Sequence, residues 1–184
     1  MPHRKLLEIR QGLIYRETKL SDALLMVLRC LRSKIEERRL LWLNRELLGY
    51  HEEDLALFDE RPKSVFSNLI FWAKKDELSA PQYRFLMGTW GNVDRDGRFM
   101  PRPIPRFDRK HVFCNIGVQQ LEVRLDELRA AGVTFFNLAI DPPTGADYFC
   151  QTSELVRINE SVRERLCLFI GTVVQDLELK ASES

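Results

Sequence analysis

The stretch SKIEERRLLWLNRELLGY, residues 33–50, limits the fold more than any other part of the chain. Wound at about 100° per residue, Leu40, Leu41, Leu43, Leu47 and Leu48 fill one broad arc. Trp42, Glu46 and Tyr50 form a second ridge on the opposite side, four residues apart. A helix with one buried face would carry charged residues there instead of Trp and Tyr. The pattern predicts a helix packed on both sides, so other elements must cover it. Glu46 also lies in the last turn, where a carboxylate opposes the helix dipole. Gly49 then suits a left-handed stop. An acid in that position calls for a cation.

Residues 157–180, RINESVRERLCLFIGTVVQDLELK, offer one. Val162, Leu166, Phe169, Ile170, Val173, Val174 and Leu177 make an apolar helical arc, and Arg163 projects into it. A desolvated guanidinium needs a carboxylate or several carbonyls. The expectation is a structural ion pair between Glu46 and either Arg163 or Arg84 of YRFLMG, clamping the N-terminal helices to the closing helix. The alternative is that Arg163 snorkels to water along its stem.

A length of 184 residues fits one domain, 1–184, with a single core. The predicted class is α+β, mainly α: an N-terminal antiparallel helical hairpin and a long C-terminal helix packed with a small antiparallel sheet. Residues 4–17 hold a weak helical pattern. Residues 21–33, with Ser21 as N-cap, form the first strong helix and pair with the next, giving a hairpin over 13–55. Residues 80–114 read as a β-hairpin turning at Asp96-Gly97, followed by a basic, proline-rich loop. Over 115–180 come a helix from an Asn115 cap to Gly132, a strand VTFFNLAI, a loop DPPTGADYFCQTSE, and the last helix.

Composition narrows the function classes. Net charge is +1, so attraction to nucleic acid would have to come from a local patch. No 18-residue apolar run and no signal-type leader occur, which points to a cytoplasmic protein without a membrane partner. Cys30, Cys114, Cys150 and Cys167 are scattered, as for reduced thiols. No phosphate-binding glycine loop, dinucleotide fingerprint or nucleophile elbow is present, so no cofactor is expected. NVDRDG opens like a calcium loop but has Pro103 where the bidentate Glu belongs. Of His3, His51 and His111, only His111 has a ligand at helical spacing, Cys114, and the acids of HEED beside His51 read better as a solvated loop, so no metal is expected either.

Arg95, Arg98, Arg102, Arg106, Arg109 and Lys110, with Phe99 and Phe107 between them, form the candidate binding surface for phosphates or an acidic partner. Trp42 and Tyr50 are candidates either for the core or for a contact surface. An enzyme with a dispersed site would draw on Asp94, Asp96 and Glu122. A structural subunit of an assembly would show a large apolar patch, which the abundant phenylalanines permit, and a homo-oligomer is left open.

Ser21, Leu24 and Leu25, followed by Trp42, Glu46, Leu47, Gly49 and Tyr50 in the pattern W-x-x-x-E-L-x-G-Y, resemble the AbiTii domain of bacterial abortive-infection proteins. The similarity spans about residues 13 to 55. Fainter echoes are Tyr83-Arg84 with Gly88, Leu121-Glu122 and Val162-Arg163. Met26 departs from the family, where an Arg usually follows the leucine pair. The resemblance implies a prokaryotic antiphage-defence setting and a non-catalytic binding or sensing module, with a protein partner encoded nearby. It carries over no catalytic residue. A defence effector enzyme, such as a nuclease or other toxin, is the alternative.

Overall fold

The structure, a computed structural model, describes residues 2–35, 37–51, 81–96, 98–102, 111–141 and 145–182. The leucine arc of residues 20–31 dives into the core: Leu20, Ala23, Leu24, Val27 and Leu31 are all fully buried. This helix, α2 (Leu20–Leu31), follows α1 (Pro2–Ile14) and precedes α3 (Glu37–Leu48). Helix α1 starts and ends earlier than the weak pattern over 4–17 suggested. Its stripe is narrow, with Leu6, Ile9 and Leu13 buried while Leu7 and Ile14 lie exposed.

A 3-10 turn at Gln82–Arg84 leads into β1 (Phe85–Val93), then β2 (Phe99–Pro101) and β3 (His111–Phe113). Helix α4 (Val118–Ala130), β4 (Phe135–Asp141), β5 (Ala146–Gln151) and α5 (Thr152–Ser182) complete the chain. The class is therefore α+β, mainly α, as expected. The strands form an antiparallel sheet in the order β2-β1-β5-β4, with β3 also paired to β1. The β1–β2 hairpin turns at the predicted place, held by the Asp94 carboxylate, which accepts the Asp96 and Arg98 amides at 2.9 and 2.8 Å.

Strand β5 corrects the loop expected over 141–154. Residues 142–144 of that loop lie outside the described residues, but ADYFCQ alternates, and Ala146, Tyr148 and Cys150 point inward as a central strand. Helix α5 then starts at Thr152, earlier than expected, directly off that strand.

Along α5, Leu155, Ile158, Val162, Leu166, Ile170, Val173 and Val174 keep one buried stripe. They share a single core with Leu6 and Leu13 of α1, Leu24 of α2, Leu43 of α3 and Leu121 of α4. Each such side chain contributes about 1.5–3 kcal/mol of transfer free energy. The N-terminal helices and the closing helix thus share an interior, as the clamp idea required. Among the described residues, no helix is long and apolar enough to cross a membrane.

Candidate functional site

The second ridge of α3 ends in a buried polar cluster. Helical spacing aligns Trp42 and Glu46, and Gly49 (φ 102°) then breaks the helix so that Tyr50 leaves it. The Tyr50 amide donates to the Asn115 carbonyl at 2.8 Å, and Gly49 forms an isolated bridge with Ile116. From its new position, the Tyr50 hydroxyl reaches back to Glu46 Oε1 at 2.7 Å.

The 3-10 turn brings the remaining members. Tyr83 donates its hydroxyl to Glu46 Oε1 at 2.8 Å and accepts the Trp42 indole N–H at 3.1 Å. Arg84 gives Nε and Nη2 to Glu46 Oε2 at 3.1 and 2.5 Å. Its Nη1 donates to the carbonyls of Ile116, at 2.6 Å, and Cys114, at 3.5 Å. Both charged side chains are 0% exposed. The Glu46 carboxylate accepts four donors, which fills its acceptor sites. Such full partnering lets an ion pair sit in a medium of low dielectric.

Of the two guanidinium partners expected for Glu46, the structure selects Arg84. Arg163 is a correction. Its Nη1 donates to the Leu13 carbonyl at 3.3 Å, and its Nε lies 3.9 Å from Glu160, so it holds the end of α1. The closing helix reaches the cluster through other arginines. Arg157 donates to the carbonyls of Tyr83 and Phe85 at 3.1 and 2.7 Å, bracketing Arg84. Arg165 stacks over the Trp42 ring, 4.9 Å from its centroid, and stands 5.8 Å from that of Tyr83. Sequence reasoning missed these two because both sit off the apolar arc. It gave Tyr83 no role in the cluster, although the family resemblance had marked Tyr83-Arg84 as a faint echo.

Burial is the main cause that pushes the Tyr50 and Tyr83 hydroxyls well above their ordinary range, and the Glu46 charge adds to it. They are donors held neutral. A carboxylate fully hydrogen-bonded and sealed from water cannot take a proton from a substrate. The chemistry of this arrangement is that of a lock between α3, the start of β1 and the turn before α4. Tyr50 therefore belongs to the interior, while Trp42 is partly buried and packs on Phe169 at 5.9 Å.

The other predicted residues are placed apart. Glu122 accepts the Leu20 amide at 2.9 Å and the Ser21 hydroxyl at 2.5 Å. It caps α2 from α4, the task the sequence had given to Ser21 itself. Asn115 likewise makes no side-chain cap for α4, whose N-cap position is Gly117. Asp94 is occupied by the hairpin turn, so it and Glu122 serve different backbone amides. Arg95, Arg98 and Arg102 are exposed on or beside the hairpin. Arg106, Arg109 and Lys110 lie outside the described residues. Met26, where the family resemblance expects Arg, packs partly buried against the core.

An open groove of about 630 Å³ runs between α4 and β4, lined by Gln119, Gln120, Val123, Glu127 and Phe136 among others. Its one described ion pair, Arg124 with Glu127 at 3.2 Å, is internal. Among the described residues, no three His, Cys, Asp or Glu side chains gather as a metal site. No protein-family model, curated protein or solved structure matches the chain.

Proposed function

We propose that this chain is an AbiTii-type antiphage-defence protein of the prokaryotic cytoplasm that acts by binding or sensing, not by catalysis. One observation carries the non-catalytic part: Glu46, its only fully buried acid among the described residues, is consumed by four hydrogen bonds inside the fold. The residues of W-x-x-x-E-L-x-G-Y each have a structural task, so the motif reads as a signature of architecture. The defence setting is supported by the motif resemblance. The exposed arginines of the hairpin offer contact to a partner, either a protein encoded nearby or a nucleic acid through residues 94–111.

Two measurements test this reading. In a susceptible bacterium, the chain expressed with its gene neighbours should lower phage plaque counts, and Arg95→Ala with Arg98→Ala should weaken protection without lowering the melting temperature. Equal plaque counts with and without the intact gene set would overturn the defence assignment. Separately, the purified chain with Mg²⁺ or Mn²⁺ should leave single- and double-stranded nucleic acid intact. Cleavage abolished by Asp94→Asn or Glu122→Gln would establish the enzyme reading instead.

A further inference from the structure

Strand β4 ends the sheet on the side away from β2, and among the described residues it pairs with β5 alone. The Thr152 amide bonds the Thr134 carbonyl at 2.8 Å, which fixes the phase of this antiparallel pair. Main-chain groups along a strand turn to alternate sides, so Phe136, opposite Cys150, gives its amide and carbonyl to β5. Those of Phe135 and Asn137 point out from the edge, where no hydrogen bond from a described residue meets them. The regular edge stops at the irregularity between Asn137 and Ala139. It therefore offers a short row of two amides and two carbonyls.

Helix α4 stands beside this edge. It packs on α5, α3 and α2, and the groove of about 630 Å³ separates it from β4. Phe136 and Leu155, 6% and 0% exposed, and the partly buried Ile116 supply an apolar floor. Val123, 58% exposed, lines the α4 wall with Gln119 and Gln120. Asn137 lines the β4 wall, yet its side-chain amide is engaged by Asp147 at 2.6 Å. What Asn137 offers the groove is backbone.

This chemistry selects the occupant. Amides and carbonyls alternating along a strand edge are matched by another extended main chain, and an apolar floor takes one of its alternate side chains. A phosphate-bearing ligand would need cations, and the described charges of the groove, Arg124 and Glu127, satisfy each other at 3.2 Å. A second copy of the sheet would bring its own α4 to the same edge, whereas a single strand fits between helix and edge.

We infer that the groove between α4 and β4 takes a short, neutral, extended segment of a partner protein. The segment adds to β4 as a further strand, through main-chain hydrogen bonds to Phe135 and Asn137, and sets an aliphatic side chain on the floor beside Phe136. This site lies at the sheet edge opposite the hairpin arginines, and the inference stands without the defence reading.

Amide hydrogen exchange of the free full chain, followed by NMR, should be fast at Phe135 and Asn137 and slow at Phe136. A displayed library of random heptapeptides, selected on the chain and counter-selected on Val123→Lys, should yield peptides with aliphatic residues two apart. Adding the best of these as a synthetic peptide should slow exchange at Phe135 and Asn137 about tenfold or more. N-methylation of that peptide should weaken binding about tenfold at every second amide and about threefold or less at the amides between. Val123→Lys should weaken binding about tenfold with the melting temperature unchanged. If that variant melts early, Gln120→Lys takes its place. Leu168→Lys, at an exposed position on α5, should bind as the parent chain does. Slow exchange at Phe135 and Asn137 in the free chain would show the edge already covered, by this chain or a second copy, and overturn the inference. So would a selection that enriches no peptide, equal tolerance of N-methylation at both sets of amides, or binding that Val123→Lys leaves unchanged.

Discussion

Arg84 sets its Nη2 2.5 Å from Oε2 of Glu46, across 38 residues of sequence, with neither side chain reaching water. Removing one partner leaves the other buried and uncompensated, which typically costs about 3–5 kcal/mol. Glu46→Ala and Arg84→Met should each lower the unfolding free energy, read from urea denaturation, by that order. The double variant should lose clearly less than the sum, because both buried charges leave together. Additive losses would mean that the two side chains do not act as a pair.

A second prediction concerns backbone approach. Gly117 lies so close to the end of α3 that a Cβ would fall 2.6 Å from the Leu48 carbonyl carbon and 2.8 Å from the Gly49 nitrogen. Gly49 combines a φ of 102° with a would-be Cβ 2.7 Å from the Asn115 carbonyl oxygen. Gly132 has a positive φ of 64° but open space. Alanine at Gly132 should cost about 1 kcal/mol, the strain of the left-handed conformation alone. Alanine at Gly117 or Gly49 should cost clearly more, since backbone must move. Equal losses at all three sites, measured by chemical denaturation, would remove the close-approach argument.

Glu122 gives the third. A carboxylate on α4 accepting the Leu20 amide and the Ser21 hydroxyl acts as an N-cap supplied in trans. Glu122→Ala should lower stability by roughly 1–2 kcal/mol. Hydrogen exchange should show faster opening of the first turn of α2. Ser21→Ala should lose less, because the Leu20 amide keeps its acceptor. A Ser21→Ala loss equal to that of Glu122→Ala would return the cap to Ser21.

The helices were legible because burial has a period, and α2, α3 and α5 show it over three or more turns. The need of Glu46 for a cation was legible too, since an acid on an aromatic ridge at a helix end conflicts with local electrostatics. Which cation answered was not. Arg163 looked right because it breaks an apolar arc, yet a long side chain can leave such an arc and bond a carbonyl, here that of Leu13. Arg84 gave no periodic signal, because a 3-10 turn of three residues has none. Strand β5 was hidden by the turn residues before it and by the short alternation of Ala146, Tyr148 and Cys150. The trans cap by Glu122 depends on tertiary placement, which no local window contains.

The last prediction is a loss of stability in alkali. Tyr50 and Tyr83 are raised in the folded state by burial first and by the Glu46 charge second. In the unfolded chain they titrate near 10. A group raised on folding contributes in full below its unfolded value and loses that contribution as pH climbs toward the folded one. Burial likewise pushes the Cys150 thiol up to about 12 and raises Cys114, whereas an unfolded thiol titrates near 8.5. The urea midpoint should therefore be level from about pH 6 to 8, fall from about 8.5, and fall more steeply above about 10. Each group adds at most about 1.4 kcal/mol per pH unit to that slope. Tyr50→Phe, which removes one of the titrating donors, should flatten the segment above pH 10 while leaving the thiol segment in place. A midpoint level through pH 11, or an alkaline slope unchanged in Tyr50→Phe, would show that these hydroxyls are not held neutral against the carboxylate.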